Sequence, residues 1–172
     1  LTLINDILDL SKIEAGKLEL VPRDFRLPEF LKDLVDLFKM RATQKGIEFV
    51  YEQLPPAWSL TTEETEGFPL VVQADDKRLR QILLNLLSNA IKFTDQGRVI
   101  FRVVFQDNRL RFEVEDTGMG IAADHLETIF LPFHQVGTIP SQDEGTGLGL
   151  PISKKLVEMM GGQLQVESVV AG

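Results

Sequence analysis

Cysteine is absent from all 172 residues, which excludes disulfides, thiol catalysis and thiolate metal sites together. Imidazole is scarce as well. Only His125 and His134 carry it, and no ligand spacing surrounds them, so a zinc site is not expected. Basic residues fall short of acidic ones, 18 against 26, for a net charge of −8. A nucleic-acid surface needs a basic stripe, so no nucleic-acid partner is expected. No apolar run is long enough to span a bilayer, and no basic-then-apolar leader opens the chain. With the missing cysteines, this points to a cytoplasmic setting and no membrane contact by this piece, leaving open whether a larger parent is anchored.

What remains is ordinary globular material. A hydrophobic content of 44% over this length suffices for one domain with a short appendage. The chain starts inside a helical pattern and stops within the strand-like "LQVESVVAG", so a longer parent is expected. Leu1, Ile4, Leu8, Ser11, Ala15 and Leu18 recur at gaps of three and four. That is a coiled-coil-like seam, weakened toward Gly16, and it reads as a packing arm.

Pro28 then opens a helix with Phe30, Leu31, Leu34, Val35 and Phe38 on one face, stopping at Gly46. "IEFVYEQL" reads as a strand, residues 55–69 as an exposed loop with Trp58 as a local anchor, and "PLVVQADD" as a short strand. The longest helix is "KRLRQILLNLLSNAIKFT". Strands "RVIFRVVF" and "RLRFEVED" follow, joined by a hairpin at "QDNR". A short helix near 124–129, an aperiodic loop, the helix "LPISKKLVEMMGG" and a final strand "QLQVESVV" complete the order. Alternating helices and strands imply an α/β domain, a mixed sheet covered by helices.

Two features carry chemistry. On the long helix, Asn85, Asn89 and Lys92 share one polar line, four and three residues apart. Asparagine is a poor helix former, whereas an amide oxygen suits a hard cation such as Mg²⁺ shared with phosphate. On that helix alone, a ligand site and a solvated face fit equally well. The second feature is bare backbone, in "DTGMG" after a strand and "GTGLGL" before a helix. Asp-Thr-Gly by itself reads more readily as a turn. The second loop lacks the Lys-Ser/Thr of a P-loop and does not directly follow a strand, which excludes both common phosphate fingerprints. A loop opening into a helix N-terminus still favours an anion.

Taken in order, "NLLSNAIKFT", "DTGMGI", "IFLPFHQ" and "GTGLGL" resemble the N, first glycine, F and second glycine boxes of sensor histidine kinases. "LINDILDLSKIEAGKLEL" resembles the end of that family's dimerisation helix. The resemblance implies a Bergerat-type two-layer sandwich of mixed β-sheet and α-helices, with residues 1–22 as dimerisation-helix end and linker, and 23–172 as the ATP-binding catalytic domain. It implies ATP and Mg²⁺ as cofactors. Asn89, helped by Asn85, would hold the metal; Lys92 would meet the phosphates; Phe93 would pack on adenine. Asp116 would accept from the adenine amino group in a pocket shaped by Gly118, Gly120 and Ile121. Gly145, Thr146, Gly147, Leu148 and Gly149 would wrap the triphosphate, with residues 134–144 as the lid.

Related hydrolases of that fold resemble one another in placing glutamate where Asn85 stands here, so transfer to an external nucleophile is implied rather than hydrolysis. The implied partners are the phosphoacceptor domain of the same kinase, a homodimer in the full-length protein, and a response regulator. The acceptor histidine would lie upstream, leaving no catalytic residue in this piece. From Phe130 to Ser153 there is no Lys or Arg, a departure from the family pattern that keeps a nucleotide-binding or assembly module without turnover as the alternative.

Overall fold

Proline within the first turn and a left-handed glycine just past the last turn bracket helix α2 (Leu27–Lys45). Pro28 needs no N–H there, and Gly46, at φ 81°, donates its N–H to carbonyls of the final turn. The computed structural model describes residues 2–54, 69–136 and 145–170. Helix α1 spans Thr2–Glu14, α3 Asp76–Phe93 and α4 Gly149–Met159; strands β1–β5 span Arg23–Arg26, Glu48–Leu54, Val71–Ala74, Arg98–Gln106 and Arg109–Asp116. Among the described residues, no helix is long and apolar enough to cross a membrane.

The chain divides into two compact units. One comprises Asp24–Gln73 and Leu86–Gly118. In it β2 pairs parallel with β4, and β4 antiparallel with β5, giving the expected mixed sheet. Strand β1, which the sequence pattern did not announce, pairs with β3 in a separate two-stranded sheet. The β4–β5 turn places Asp107 and Asn108 at φ 52° and 59°. Two left-handed residues match the twist of a two-residue hairpin, and Asn and Asp tolerate that region. On β4, Val99, Phe101 and Val103 are fully buried; Tyr51 and Phe112 meet the Phe101 ring at 5.7 and 6.4 Å. Helix α2 buries Leu27, Phe30, Leu31, Leu34, Val35, Phe38 and Ala42, and Phe38 stacks on Phe49 of β2. Each such fully buried side chain is worth about 1.5–3 kcal/mol before entropy is charged.

Alternate β4 residues point the other way. There Arg102 bonds Glu52 of β2 and Glu115 of β5, both at 2.6 Å, tying three strands together. Those carboxylates, Glu115 ahead of Glu52, hold the guanidinium pKa above its ordinary value.

The other unit comprises Leu1–Arg23, Ala74–Asn85 and Met119–Gly172. Leu18, Leu83, Ile129, Leu148, Ile152 and Leu156 are buried in it. Asp75 caps α3 by accepting from the Arg78 N–H, and its second oxygen accepts from the Val21 N–H. Asp9 of α1 receives Arg78 and Gln81 of α3, each at 3.0 Å.

Three expectations are corrected here. The N-terminal helix does not run to Leu18; it ends at Glu14, because Gly16 turns at φ 65°. The helix near 124–129 is instead two 3₁₀ turns, Ala123–His125 and Thr128–Phe130, too short to build α-helical hydrogen bonds. Residues 162–170 form no strand. Where they approach the first glycine loop, the Ile121 N–H donates to the Ser168 hydroxyl, a side-chain bond in place of a ladder bond. Trp58 and most of its loop lie outside the described residues.

Candidate functional site

Helix α3 carries the asparagines because its apolar stripe is spent elsewhere. Leu79, Ile82, Leu83, Leu87, Ala90 and Ile91 are buried, which leaves Asn85 and Asn89 half-buried and Lys92 exposed. In the unit holding the second glycine loop, the Asn85 amide nitrogen donates to the buried Ser153 hydroxyl at 3.1 Å. That bond turns the amide oxygen toward Gly149, where a Cβ would collide with it. Ser153 thus orients Asn85 from α4, a role with no local signal in the sequence. Gly147, at φ 70°, faces the Phe133 backbone, from which an added Cβ would stand 3.0 Å. The Phe133 N–H donates to the Gly147 carbonyl at 3.0 Å.

The bare backbone is therefore required first by the protein's own close approaches. Thr146 turns the loop further, accepting from the Leu148 N–H while donating to Asp6 of α1. Gln135 donates to the Gly145 carbonyl. Gly120, at φ 74°, lies against the Val169 carbonyl, so a side chain is excluded there too. His125 and His134 stand with ring centroids 6.3 Å apart. Residues 137–144, most of the expected lid, lie outside the described residues.

In the sheet unit, Asp116 ends β5 and its Oδ1 accepts from the Gly118 N–H at 2.9 Å, closing an Asx turn. Gly118 also faces the Phe93 carbonyl, which a Cβ would meet. Thr117, between them, accepts from the Arg98 N–H at 2.9 Å. Phe93 is 45% exposed, and the Lys92 ammonium lies 5.4 Å from its ring centre. Asn89, Lys92, Phe93, Asp116 and Gly118 all belong to this unit; Asn85, Gly120, Ile121 and 145–149 belong to the other.

The last turn of α3 is closed from outside. Thr94 Oγ1 donates to the Ala90 carbonyl, and Lys45 Nζ donates to the carbonyls of Ile91 and Lys92. Sequence reading missed Lys45, because nothing in its local pattern announces a partner 46 residues away.

As to metal, no three His, Asp or Glu gather into one site among the described residues. An ion here would rely on neutral amide oxygens, and the oriented Asn85 oxygen fits a hard cation that shares its shell with phosphate.

The family model described as histidine kinase-, DNA gyrase B-, and HSP90-like ATPase matches residues 74–172. Over 174 residues the chain is 41% identical to hybrid signal transduction histidine kinase B of Dictyostelium discoideum, covering 98% of this chain and 8% of that protein. Its fold is similar to full-length ShkA, solved in complex with AMPPNP, with TM-score 0.75 and 36% identity, over 93% of this chain and 31% of that one. It is also similar to the histidine kinase ThkA, solved in complex with the response regulator protein TrrA. There the TM-score is 0.63 at 26% identity, over 94% of this chain and 42% of that one. The expected α/β architecture, a mixed sheet with helices, agrees with these structures.

Proposed function

Because the chain belongs to the histidine kinase-, DNA gyrase B-, and HSP90-like ATPase family, we propose that it binds Mg-ATP and presents the γ-phosphoryl group to a histidine of a dimerisation segment. From there the group passes to an aspartate of a response regulator in two-component signalling. Residues 1–22 are read as the end of the dimerisation helix with its linker, and 23–172 as the catalytic domain. The parent acts as a homodimer on this reading.

The observation that carries it is Asn85. An amide held by Ser153, with its oxygen against Gly149, is a ligand group and has no basicity with which to activate water. The position therefore suits holding a triphosphate for an external nucleophile. Asn85 and Asn89 would hold Mg²⁺, which neutralises charge on the transferring group when bound. Lys92 meets the phosphates and Phe93 packs on adenine. Asp116 keeps one oxygen on its own turn and accepts from the adenine amino group with the other, beside Gly118, Gly120 and Ile121. The loop Gly145, Thr146, Gly147, Leu148, Gly149 surrounds the phosphates at the start of α4, where free N–H groups and the helix dipole favour an anion.

Neither His125, in a 3₁₀ turn, nor His134 is the acceptor. Incubation with γ-labelled ATP, alone and with a separately made dimerisation segment, tests this. Acid-labile, base-stable label is expected on the added segment only. Label on this chain alone would refute the assignment. A module that binds nucleotide or partners without turnover is the second reading, favoured by the stretch Phe130–Ser153 without Lys or Arg. Analogue binding with no transfer to any segment would support it.

A further inference from the structure

Every helix ends with four carbonyls that have no partner within it. In α3 those of Ile91 and Lys92 are taken by one ammonium: Lys45 Nζ donates to them at 2.7 and 2.8 Å. The Ala90 carbonyl is satisfied by Thr94 Oγ1 at 2.8 Å, and the Phe93 carbonyl lies against Gly118. Lys45 is the last residue of α2, and its place is set by the left-handed Gly46 and the buried Ile47 that follow. Its side chain is 32% exposed, and the fully solvated Asp95 carboxylate, 3.6 Å away, adds little to holding it. The two carbonyl bonds are charge-assisted, and they put a cation at the negative end of the α3 dipole.

We propose that Lys45 is a positioning residue for the nucleotide. By closing the last turn of α3 from another helix, it fixes the backbone from which Lys92 and Phe93 project, and so governs affinity without touching the ligand. Without it both carbonyls lose a charge-assisted bond, Ile91 keeping only the 3.4 Å bond from the Thr94 N–H, and the turn loosens, freeing the side chains read here as the phosphate and adenine contacts. The inference rests on the ATP reading above.

The test is calorimetry of the chain with a non-hydrolysable ATP analogue and Mg²⁺, paired with urea unfolding. Lys45→Met should weaken the analogue by about tenfold, the scale of a single charge-assisted bond, because the loss reaches the ligand only through the turn, while unfolding stays cooperative. Lys45→Arg, which keeps the charge and offers several N–H donors in a planar fork, should return affinity to near the unsubstituted value, which a loss of bulk stability alone would not explain. Lys39→Met, exposed on the same helix, is the control and should change nothing. Should Lys45→Met fail to unfold cooperatively, Lys45→Gln, keeping a neutral donor, is read in its place and should fall between. Unchanged affinity in the Met or Gln variant, or an Arg variant as weak as Met, overturns the assignment. No binding by the unsubstituted chain instead strikes the ATP reading and takes this inference with it.

Discussion

Alanine at Gly149 would drive a methyl group into the Asn85 amide oxygen, so either the amide turns away or the first turn of α4 shifts. Overpacking of that kind costs about 1–3 kcal/mol. The expected result for Gly149→Ala is a lower urea midpoint together with weaker analogue binding; an unchanged midpoint would mean Asn85 is free to move. Asp116 permits a cleaner separation of fold from ligand. Its Oδ1 accepts from Gly118, and asparagine keeps that acceptor while replacing the other oxygen with a donor. Asp116→Asn should therefore leave the unfolding curve in place and weaken adenine nucleotides by about tenfold, the worth of a charged hydrogen bond turned unfavourable. Equal affinity for variant and parent would remove Asp116 from the adenine contact.

At the scale of elements, strand β2 supplies a pH test. Tyr51 is the chain's one tyrosine, and it lines a cavity of about 320 Å³ with Leu27, Leu31, Val35 and Leu70. Burial raises its phenol pKa above 10.0. A phenol whose pKa rises on folding holds its proton more tightly in the native state. Its stabilisation is thus whole below pH 10 and fades as pH climbs through the higher native value. Tyrosinate absorbance should appear later in the folded chain than in urea, and Tyr51→Phe should lose less stability across that window. Coincident titrations in both states would cancel the argument.

The same strands show what sequence could and could not tell. Helix α2, the β4–β5 hairpin and α3 were legible because period, glycine, proline and Asp-Asn turn chemistry all agree locally. Strand β1 was not, since four residues with mixed exposure carry no period and exist through pairing with β3. Residues 162–170 failed in the opposite way: their alternation suggests a strand, but a ladder needs a partner that local pattern cannot supply. The site followed suit. Asn85, Asn89 and the glycines announce themselves by being poor choices for stability, while Ser153 and Lys45, which hold them or their neighbours, look like any serine and lysine.

For the whole molecule, charge sets the terms on which a triphosphate binds. The chain carries −8, and the stretch Phe130–Ser153 adds no Lys or Arg to offset it. Lys154, just beyond, already lies 4.9 Å over the Phe130 ring. Backbone N–H groups at the start of α4 provide only partial positive charge, so on the proposed reading neutralisation falls largely to the divalent ion. Chelating Mg²⁺ should weaken the ATP analogue by about tenfold or more while leaving adenosine nearly unaffected, a split set by phosphate charge alone. Asn89→Ala should lower the affinity in Mg²⁺ to the chelated value and change nothing further. The sign of the salt response separates this from a basic funnel. Between two anions salt screens repulsion, so in chelator the affinity should hold or rise as salt is added. A steep fall with salt would mean the site draws phosphate by its own positive field, and the metal's share would have to be reassigned to Lys92.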